Sequence, residues 1–165
     1  MRKPVIGVVG TSSDNSPAVD VALKLGKRIA QQGWTVLSGG RDKGVMKAVS
    51  KGAKEVPGSL TIGILPSQSS DVAPEIDVAI VTDLQNARNN IISLSSDAVV
   101  ACGIEGPGTT SEIALALKNN KRVIVIGASR AARTFFEEVA GGKLIHVKTP
   151  EEAIQALLVA ITGSR

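Results

Sequence analysis

Three short stretches rich in glycine and hydroxyl residues are candidates for anion binding. They are GTSSDNS at residues 10–16, SGGRDKGVM at 38–46 and GIEGPGTTSE at 103–112. Glycine lets backbone amides approach a ligand closely, and hydroxyl groups can donate hydrogen bonds to phosphate oxygens. Each stretch follows an apolar run and leads towards an amphipathic one, so each can be a turn from a strand into a helix, whose N-terminus presents free amides to an anion. The three stretches therefore predict a site for a small anionic ligand.

The third stretch can also be explained as an ordinary helix start. Thr109 and Glu112 have the spacing of a capping box, in which each side chain accepts a hydrogen bond from the amide of the other residue. A capping box does not account for the glycines and additional hydroxyls of the same turn. We therefore expect an anion above this turn, and the predicted contact residues are Gly106, Pro107, Gly108, Thr109, Thr110, Ser111 and Glu112.

The first two stretches have structural explanations as well. Ser16 followed by Pro17 is a common way to begin a helix. The second stretch matches neither the P-loop nor the dinucleotide-binding pattern, so it is a weak motif by itself. With these alternatives open, the predicted contact residues in the two stretches are Gly10, Thr11, Ser12, Ser13, Gly39, Gly40, Gly44, Val45 and Met46.

Three single residues could also contribute chemistry. Arg88 begins a predicted helix, where its charge is unfavourable to the helix dipole, so it is either a partner for an anionic ligand or an exposed surface arginine. Cys102, the only cysteine, ends a predicted strand and is expected to be a buried apolar residue rather than a metal ligand. His146 has no cysteine or second histidine as a partner, so we expect it to be structural and expect no metal site built from side chains.

The elements that must position these turns follow from the hydropathy pattern. Short β-branched runs alternate with amphipathic stretches, which is typical of a parallel sheet covered by helices on both faces. Strands are predicted at 5–9, 35–37, 61–65, 78–81, 98–101, 123–126 and 144–147, and helices at 16–32, 45–54, 86–95, 109–119, 130–140 and 150–161. The loop at 65–77 could cover a site. We predict a single-domain, Rossmann-like α/β fold over residues 1–165, with three α/β/α layers and a mainly parallel sheet of about seven strands.

Composition limits the class of protein. The 165 residues are 43% hydrophobic and 21% charged, as expected of one globular domain, and no apolar stretch approaches the length of a membrane span. We therefore expect a cytoplasmic protein without a membrane partner. The net charge of +4 is spread along the chain, tyrosine is absent and aromatic residues make up 2%, so a surface on which nucleic-acid bases could stack is not expected.

Three motifs, taken in order, resemble those of a superfamily of Rossmann-like proteins once labelled lysine decarboxylase-like. They are VVGTSS, LSGGRDKGVMKAV, and ARNN with GPGTTSE. It includes the LONELY GUY phosphoribohydrolases, and within it the chain is most similar to the molybdenum cofactor carrier proteins. The likeness covers most of residues 4–127. It implies non-covalent binding, storage and delivery of molybdenum cofactor, with the molybdopterin phosphate held at helix N-termini. It also implies a homodimer or homotetramer formed through helices, with molybdoenzymes or cofactor-synthesis proteins as partners.

The same resemblance implies an alternative activity, the hydrolysis of AMP-like nucleoside 5'-monophosphates with Arg88 and Glu112 as catalytic residues. Arg88 matches the arginine of the hydrolases, and the later positions of their P-G-G-x-G-T-x-x-E motif are matched by Gly106, Gly108, Thr109 and Glu112. The departures are Ile104 and Glu105 in place of Pro-Gly, Asn89 in place of a lysine, and Asn86 or Ala87 in place of a histidine. They favour a carrier that catalyses no reaction. A module that binds AMP without cleaving it is a third interpretation.

Overall fold

Seven parallel strands form one sheet in a computed structural model that describes residues 2–162. The strands are β1 Val5–Gly10, β2 Thr35–Ser38, β3 Thr61–Leu65, β4 Val78–Val81, β5 Ala98–Cys102, β6 Arg122–Ile126 and β7 Leu144–Val147. Their order is β4-β3-β2-β1-β5-β6-β7, and every neighbouring pair is parallel. The predicted fold class is confirmed, although residues 1 and 163–165 of the predicted domain lie outside the described residues.

Helices connect successive strands, except between β3 and β4, and a last helix follows β7. They are α1 Ala18–Gln31, α2 Gly44–Lys54, α3 Asn89–Ser95, α4 Pro107–Lys118, α5 Arg130–Ala140 and α6 Pro150–Thr162. A short 3-10 helix, Gln85–Arg88, precedes α3, so the predicted helix at 86–95 is divided between two elements. Within residues 2–162, none of the helices has the length and apolar character needed to cross a membrane.

The helices cover both faces of the sheet. One face packs on α1, α2 and α6, through fully buried residues such as Leu25, Val49 and Leu157. The other face packs on α3, α4 and α5, where Ile113 and Phe136 are buried. The central strands are buried on both faces, which explains why their sequences are continuous apolar runs rather than alternating ones.

Helices α1 and α2 lie in direct backbone contact. A Cβ atom on Gly26 would collide with the Val49 carbonyl of α2, and one on Gly52 would collide with the Leu23 carbonyl of α1. Helix α1 ends at Gln31, and Gly33, two residues later, has a φ of 73°, as is common for a glycine that follows a helix. This close packing holds the turns that lead into the two helices beside each other.

The strand order of the sheet reverses between β1 and β5. Strands β2 to β4 extend from one side of β1, and β5 to β7 extend from the other side. In open parallel sheets, the turns at the carboxyl ends of strands diverge at such a point and leave a crevice in which ligands bind. The predicted contact residues of the first and third turns follow these two strands.

Candidate ligand-binding site

A cleft of about 290 Å³ opens at the carboxyl end of the sheet, above β1. All three predicted turns contribute to its lining, together with the segment that follows β4. The predicted contact residues that line it are Gly10, Thr11, Ser12, Gly39, Met46, Arg88, Gly106, Pro107, Gly108, Thr109 and Glu112. The tertiary structure thus brings together in one cleft residues that are distant in the sequence.

The N-terminus of α4 presents unpaired amides at the cleft. Gly106, with a φ of 129°, precedes the helix, and Pro107 is its first residue. The Thr110 amide donates to the Gly106 carbonyl at 3.2 Å, which makes it the first amide with a helical partner. Proline has no amide hydrogen, so the free donors of the first turn are the amides of Gly108 and Thr109, which line the cleft. These amides can donate hydrogen bonds to an anion above the turn, as the sequence predicts.

The predicted capping box at this turn is wrong. Helix α4 begins two residues before Thr109, so both Thr109 and Glu112 lie inside the helix. Pro107 explains the earlier start, because the φ of proline is already helical and its missing amide hydrogen costs nothing at a first helical position. Thr109 is 4% exposed and Glu112 is half-buried, so the interactions of both side chains are set by the cleft and the core rather than by a cap.

Two hydroxyl groups predicted to contact the ligand do not line the cleft. The Thr110 hydroxyl donates to the Gly106 carbonyl at 2.9 Å, and the Ser111 hydroxyl donates to the Gly108 carbonyl at 2.7 Å. Both hydroxyls therefore satisfy carbonyl groups of their own helix start. Their side chains stabilise the turn, and the amides remain the groups available to an anion.

The second turn differs from the prediction in a similar way. The Gly44 amide donates to the Asp14 carboxylate at 2.7 Å, and the Val45 amide donates to the Thr11 carbonyl at 3.0 Å. The amides of Gly44 and Val45, the first two of α2, therefore donate to the first turn, and neither Gly44 nor Val45 lines the cleft. Ser13 also lies outside the lining, where its amide donates to the Thr11 hydroxyl at 3.2 Å.

Two neighbouring glycines of the second turn have different roles. Gly40 does not line the cleft. It has a φ of 69°, and a Cβ atom there would lie 2.7 Å from Gly63 Cα. Gly39 lines the cleft, and a Cβ atom on it would lie 2.6 Å from Nη1 of Arg88 and 2.5 Å from Sδ of Met46. Glycine at position 39 therefore makes room for the guanidinium.

Arg88 is buried, with 8% of its surface exposed, so the interpretation as an exposed surface arginine is wrong. Its Nε and Nη1 atoms have no hydrogen-bond partner among residues 2–162. Burial lowers the pKa of the guanidinium, the negative charge of Glu112 opposes that shift, and the positive charge of Arg41 adds to it. The cleft therefore contains a preformed cation that lacks a close partner.

The backbone before Arg88 is strained. Asp83 and Gln85 have φ values of 54° and 48°, in a region that side-chain-bearing residues rarely adopt. These two positions connect the edge strand β4 to the 3-10 helix that carries the arginine. Such conformations persist when surrounding structure enforces them and are concentrated at functional sites.

Glu112 faces the cleft on the side of α4. Burial disfavours its charged form and raises the pKa of the carboxyl to about 7, although the positive charge of Arg88 acts in the opposite direction. The two side chains are electrostatic neighbours but do not form one of the ion pairs seen in residues 2–162. A carboxyl that titrates near neutrality can exchange a proton with a bound ligand.

The cleft includes residues that the sequence interpretation did not assign to the site: Val8, Val9, Arg41, Asn86, Asn89 and Glu105. Arg41 and Glu105 lie within the second and third turns, and their charge was the available signal. Asn89 follows Arg88 directly in the ARNN motif, and Asn86 lies just before that motif. The two valines belong to the buried run of β1, and nothing in their type indicated a position beneath a cleft.

The long loop at 65–77 packs against the outer side of the second turn. The Ala73 amide donates to the Gly40 carbonyl at 3.0 Å, and Arg41 pairs with Val72 in an isolated antiparallel bridge. No residue of positions 65–77 lines the cleft, so the expected cover over the site is a support for the second turn instead.

Cys102 and His146 lie outside the cleft lining. Cys102 is fully buried, as predicted, and burial raises the pKa of its thiol to about 12. His146 lies on β7, with Nε2 3.7 Å from a carboxylate oxygen of Glu137, and burial lowers the pKa of its imidazole. Across the described residues, no cluster of three or more histidine, cysteine, aspartate and glutamate side chains is arranged to hold a metal ion.

An open parallel sheet with free helix amides and a buried arginine at its reversal point defines a Rossmann-like protein with a cleft suited to an anionic ligand. Comparison with known families makes this class more specific. The profile of the SLOG cluster4 family matches residues 3–154, and the chain belongs to this family.

Two solved structures are similar over nearly the whole chain. The molybdenum cofactor binding protein from Rippkaea orientalis is 47% identical with a TM-score of 0.93, and the match covers 98% of this chain and 99% of that one. The molybdenum cofactor carrier protein from Chlamydomonas reinhardtii is 42% identical with a TM-score of 0.92, at the same coverage of both chains.

A more distant relative is an enzyme. The cytokinin riboside 5'-monophosphate phosphoribohydrolase of Mycobacterium tuberculosis is 31% identical over 105 residues, which are 62% of this chain and 55% of that protein. Both kinds of relative expected from the motifs are therefore found, and the carrier proteins share the larger part of the chain.

Proposed function

We propose that this protein binds molybdenum cofactor non-covalently, stores it and delivers it to an acceptor. The two similar structures, described as molybdenum cofactor binding and carrier proteins, support this proposal over nearly the full chain. The observation that carries it is the cleft itself, in which free amides of α4 and a buried, unpartnered arginine meet. These groups bind anions, and binding is all that a carrier requires.

The cleft matches the general chemistry of the cofactor. Molybdenum cofactor is a pterin whose tail ends in a phosphate and whose dithiolene binds the metal. The amides of Gly108 and Thr109 can hold the phosphate, since a helix N-terminus favours a negative group. The volume of about 290 Å³ is at the small end of ligand pockets, so we expect part of the ligand to remain at the open mouth.

Glu105 is a departure from the hydrolase motif that lies at the cleft. It occupies a position where the hydrolase motif has no side chain, and it places a carboxylate on the rim of the cleft. Its Oε1 accepts a hydrogen bond from the Ser16 hydroxyl at 2.6 Å, which holds the negative charge beside the third turn. This charge opposes a phosphate that approaches from that side, whether the phosphate belongs to the cofactor or to a nucleotide.

A phosphoribohydrolase remains the second candidate, because Arg88 and Glu112 do meet in the cleft. Cleavage of an N-glycosidic bond needs a group that stabilises the developing positive charge on the sugar or moves a proton. Glu112, with a pKa of about 7, can do either according to its protonation state. In this function Arg88 would orient the nucleotide.

The experiment that decides between the two is cofactor retention measured beside adenine release. The purified protein is incubated anaerobically with free molybdenum cofactor and passed through gel filtration, and pterin and molybdenum are assayed in the protein fraction. The same preparation is tested with AMP. Retained cofactor without adenine supports the carrier, whereas adenine release without retention supports the hydrolase and contradicts the carrier.

A matched pair of variants makes the retention assay specific to the cleft. Gly108→Asp places a carboxylate beside the free amides, in a position where an added Cβ atom meets no other atom within 4 Å. Ala114→Asp makes the same change of charge at an exposed residue of α4 that does not line the cleft. Retention should be lost in the first variant and kept in the second.

We propose a homodimer or homotetramer formed through helices as the assembled state. Exposed apolar side chains on α3 and α5 support this, since Leu94, Phe135 and Val139 are 53%, 54% and 57% exposed. Light scattering during gel filtration tests this assembly, and a purely monomeric protein at micromolar concentration would contradict it.

The proposed partner is a molybdoenzyme or a cofactor-synthesis protein in the cytoplasm. Pull-down from a cytoplasmic fraction tests this proposal.

A further inference from the structure

The cleft presents two separate groups that attract anions. One is the pair of free amides at the start of α4, after β5. The other is the guanidinium of Arg88, which lies against Gly39 at the end of β2. Strand β1 lies between β2 and β5, and because neighbouring strands are about 4.8 Å apart, the strands that carry the two sides of the cleft are roughly 10 Å apart. One phosphate group is too small to occupy both sides fully.

Arg88 is a buried cation whose hydrogen-bonding capacity is not satisfied by the described residues. It is 8% exposed, and its Nε and Nη1 have no hydrogen-bond partner in the described residues. A buried charge without a partner is unfavourable, so a ligand group that pairs with it is stabilised strongly. Gly39 is the reason that the guanidinium can lie there, since a side chain at that position would collide with it.

The two sides of the cleft have different chemistry. At α4 the donors are backbone amides beside the exposed residues Gly106 and Gly108, which suits a small and strongly hydrated phosphate. At the other side, the guanidinium and the buried thioether of Met46 meet above Gly39. A guanidinium is weakly hydrated and a thioether is polarizable, so this side suits a larger, more polarizable oxyanion.

We propose that the ligand lies in the cleft in one direction, with its phosphate on the amides of α4 and its metal-oxo and dithiolene end against Arg88. Arg41, which lines the same cleft, adds positive charge to the Arg88 side. The identity of the second anionic group rests on the proposed function. Separate anion subsites at the amides of α4 and at Arg88 rest on the geometry alone.

Calorimetric titration tests the two subsites without the cofactor. Inorganic phosphate and inorganic molybdate are titrated separately into ligand-free protein. Gly108→Asp should weaken phosphate binding at least tenfold and change molybdate binding less than threefold. Arg88→Gln should do the opposite. Each substitution removes or blocks a direct contact at its own side, whereas its effect on the other side is only a longer-range electrostatic one that salt weakens. Ala114→Asp serves as the control and should change neither affinity.

Equal weakening of both anions by both variants would mean one shared subsite and would overturn the proposal. The same holds if molybdate does not bind the unmodified protein at millimolar concentration, or if Arg88→Gln leaves molybdate affinity unchanged. Failure of the proposed function can be distinguished from failure of the two-subsite proposal. Selective effects on phosphate and molybdate in a protein that retains no cofactor would support the two subsites and reject the carrier, whereas retained cofactor with unselective effects would do the reverse.

Discussion

At the scale of single residues, Glu112 contributes a dependence of stability on pH near neutrality. Its carboxyl has a pKa of about 7 in the folded protein, against 4.5 for the ordinary group. The folded state therefore binds this proton more tightly than the unfolded state does, and the contribution of Glu112 to stability decreases as the pH rises from 4.5 to 7. The pKa shift corresponds to a contribution of at most about 3 kcal/mol to the free energy of unfolding, and partial exposure of the side chain reduces this contribution.

Glu112→Gln removes this titration. We expect little change at pH 4.5 and an increase in the free energy of unfolding of about 1 to 3 kcal/mol at pH 8, measured by urea unfolding at both pH values. Glu138→Gln, at an exposed position of α5, is the control. An equal effect of Glu112→Gln at both pH values would show that the carboxyl does not titrate near neutrality.

Arg88 should lower the stability of the ligand-free protein while it favours the ligand. Replacing the buried, unpaired guanidinium with an apolar chain of similar length, as in Arg88→Met, is expected to raise the free energy of unfolding by about 1 to 2 kcal/mol. Thermal unfolding without ligand measures this change. A loss of stability instead would mean that the guanidinium is part of the structural framework of the turn.

At the scale of elements, the contact between α1 and α2 fixes the first two turns of the cleft. Gly52→Ala places a methyl group against the Leu23 carbonyl and should reduce the free energy of unfolding by about 3 kcal/mol, since backbone atoms cannot move aside cheaply. Gly108→Ala is the matched control, because a Cβ atom there meets nothing within 4 Å and alanine favours the helix by up to about 1 kcal/mol. Denaturant unfolding of both variants compares them.

The start of α4 shows what local sequence can and cannot predict. The existence of the helix follows from the apolar run after Glu112, but its first residue depends on whether Thr109 or Gly106 acts as the cap. Gly106 with a φ of 129° and Pro107 after it begin the helix two residues early. A capping box and a proline start are both locally favourable, and the sequence contained both signals.

At the scale of the whole molecule, ligand binding should stabilise the fold. The cleft is assembled from turns after β1, β2, β4 and β5, so the unfolded chain has no equivalent site. Cofactor at 100 times its Kd should therefore raise the free energy of unfolding by about 2.7 kcal/mol, measured anaerobically. Gly108→Asp should abolish this gain and Ala114→Asp should keep it, and stabilisation of Gly108→Asp by cofactor would contradict the assigned site.

The amino-acid sequence by itself determined the layered α/β fold, the seven strands and the three turns that supply most of the cleft. These features follow from hydropathy periods and turn residues, which act over a few positions. Only the tertiary structure decided which amides are free. Gly44 and Val45 donate to the first turn, whereas Gly108 and Thr109 face the cleft, and no local pattern distinguishes the two helix starts.

The burial of Arg88 was likewise decided by tertiary structure. Its charge and its place in the ARNN motif are local facts, but its environment comes from Gly39 in the turn after β2 and from Glu112 on α4. Whether an arginine is an exposed surface group or a buried, unpaired cation depends on contacts between segments far apart in the chain. The sequence could therefore nominate this residue, and the packing of β2 and α4 around it gave it the properties of an anion site.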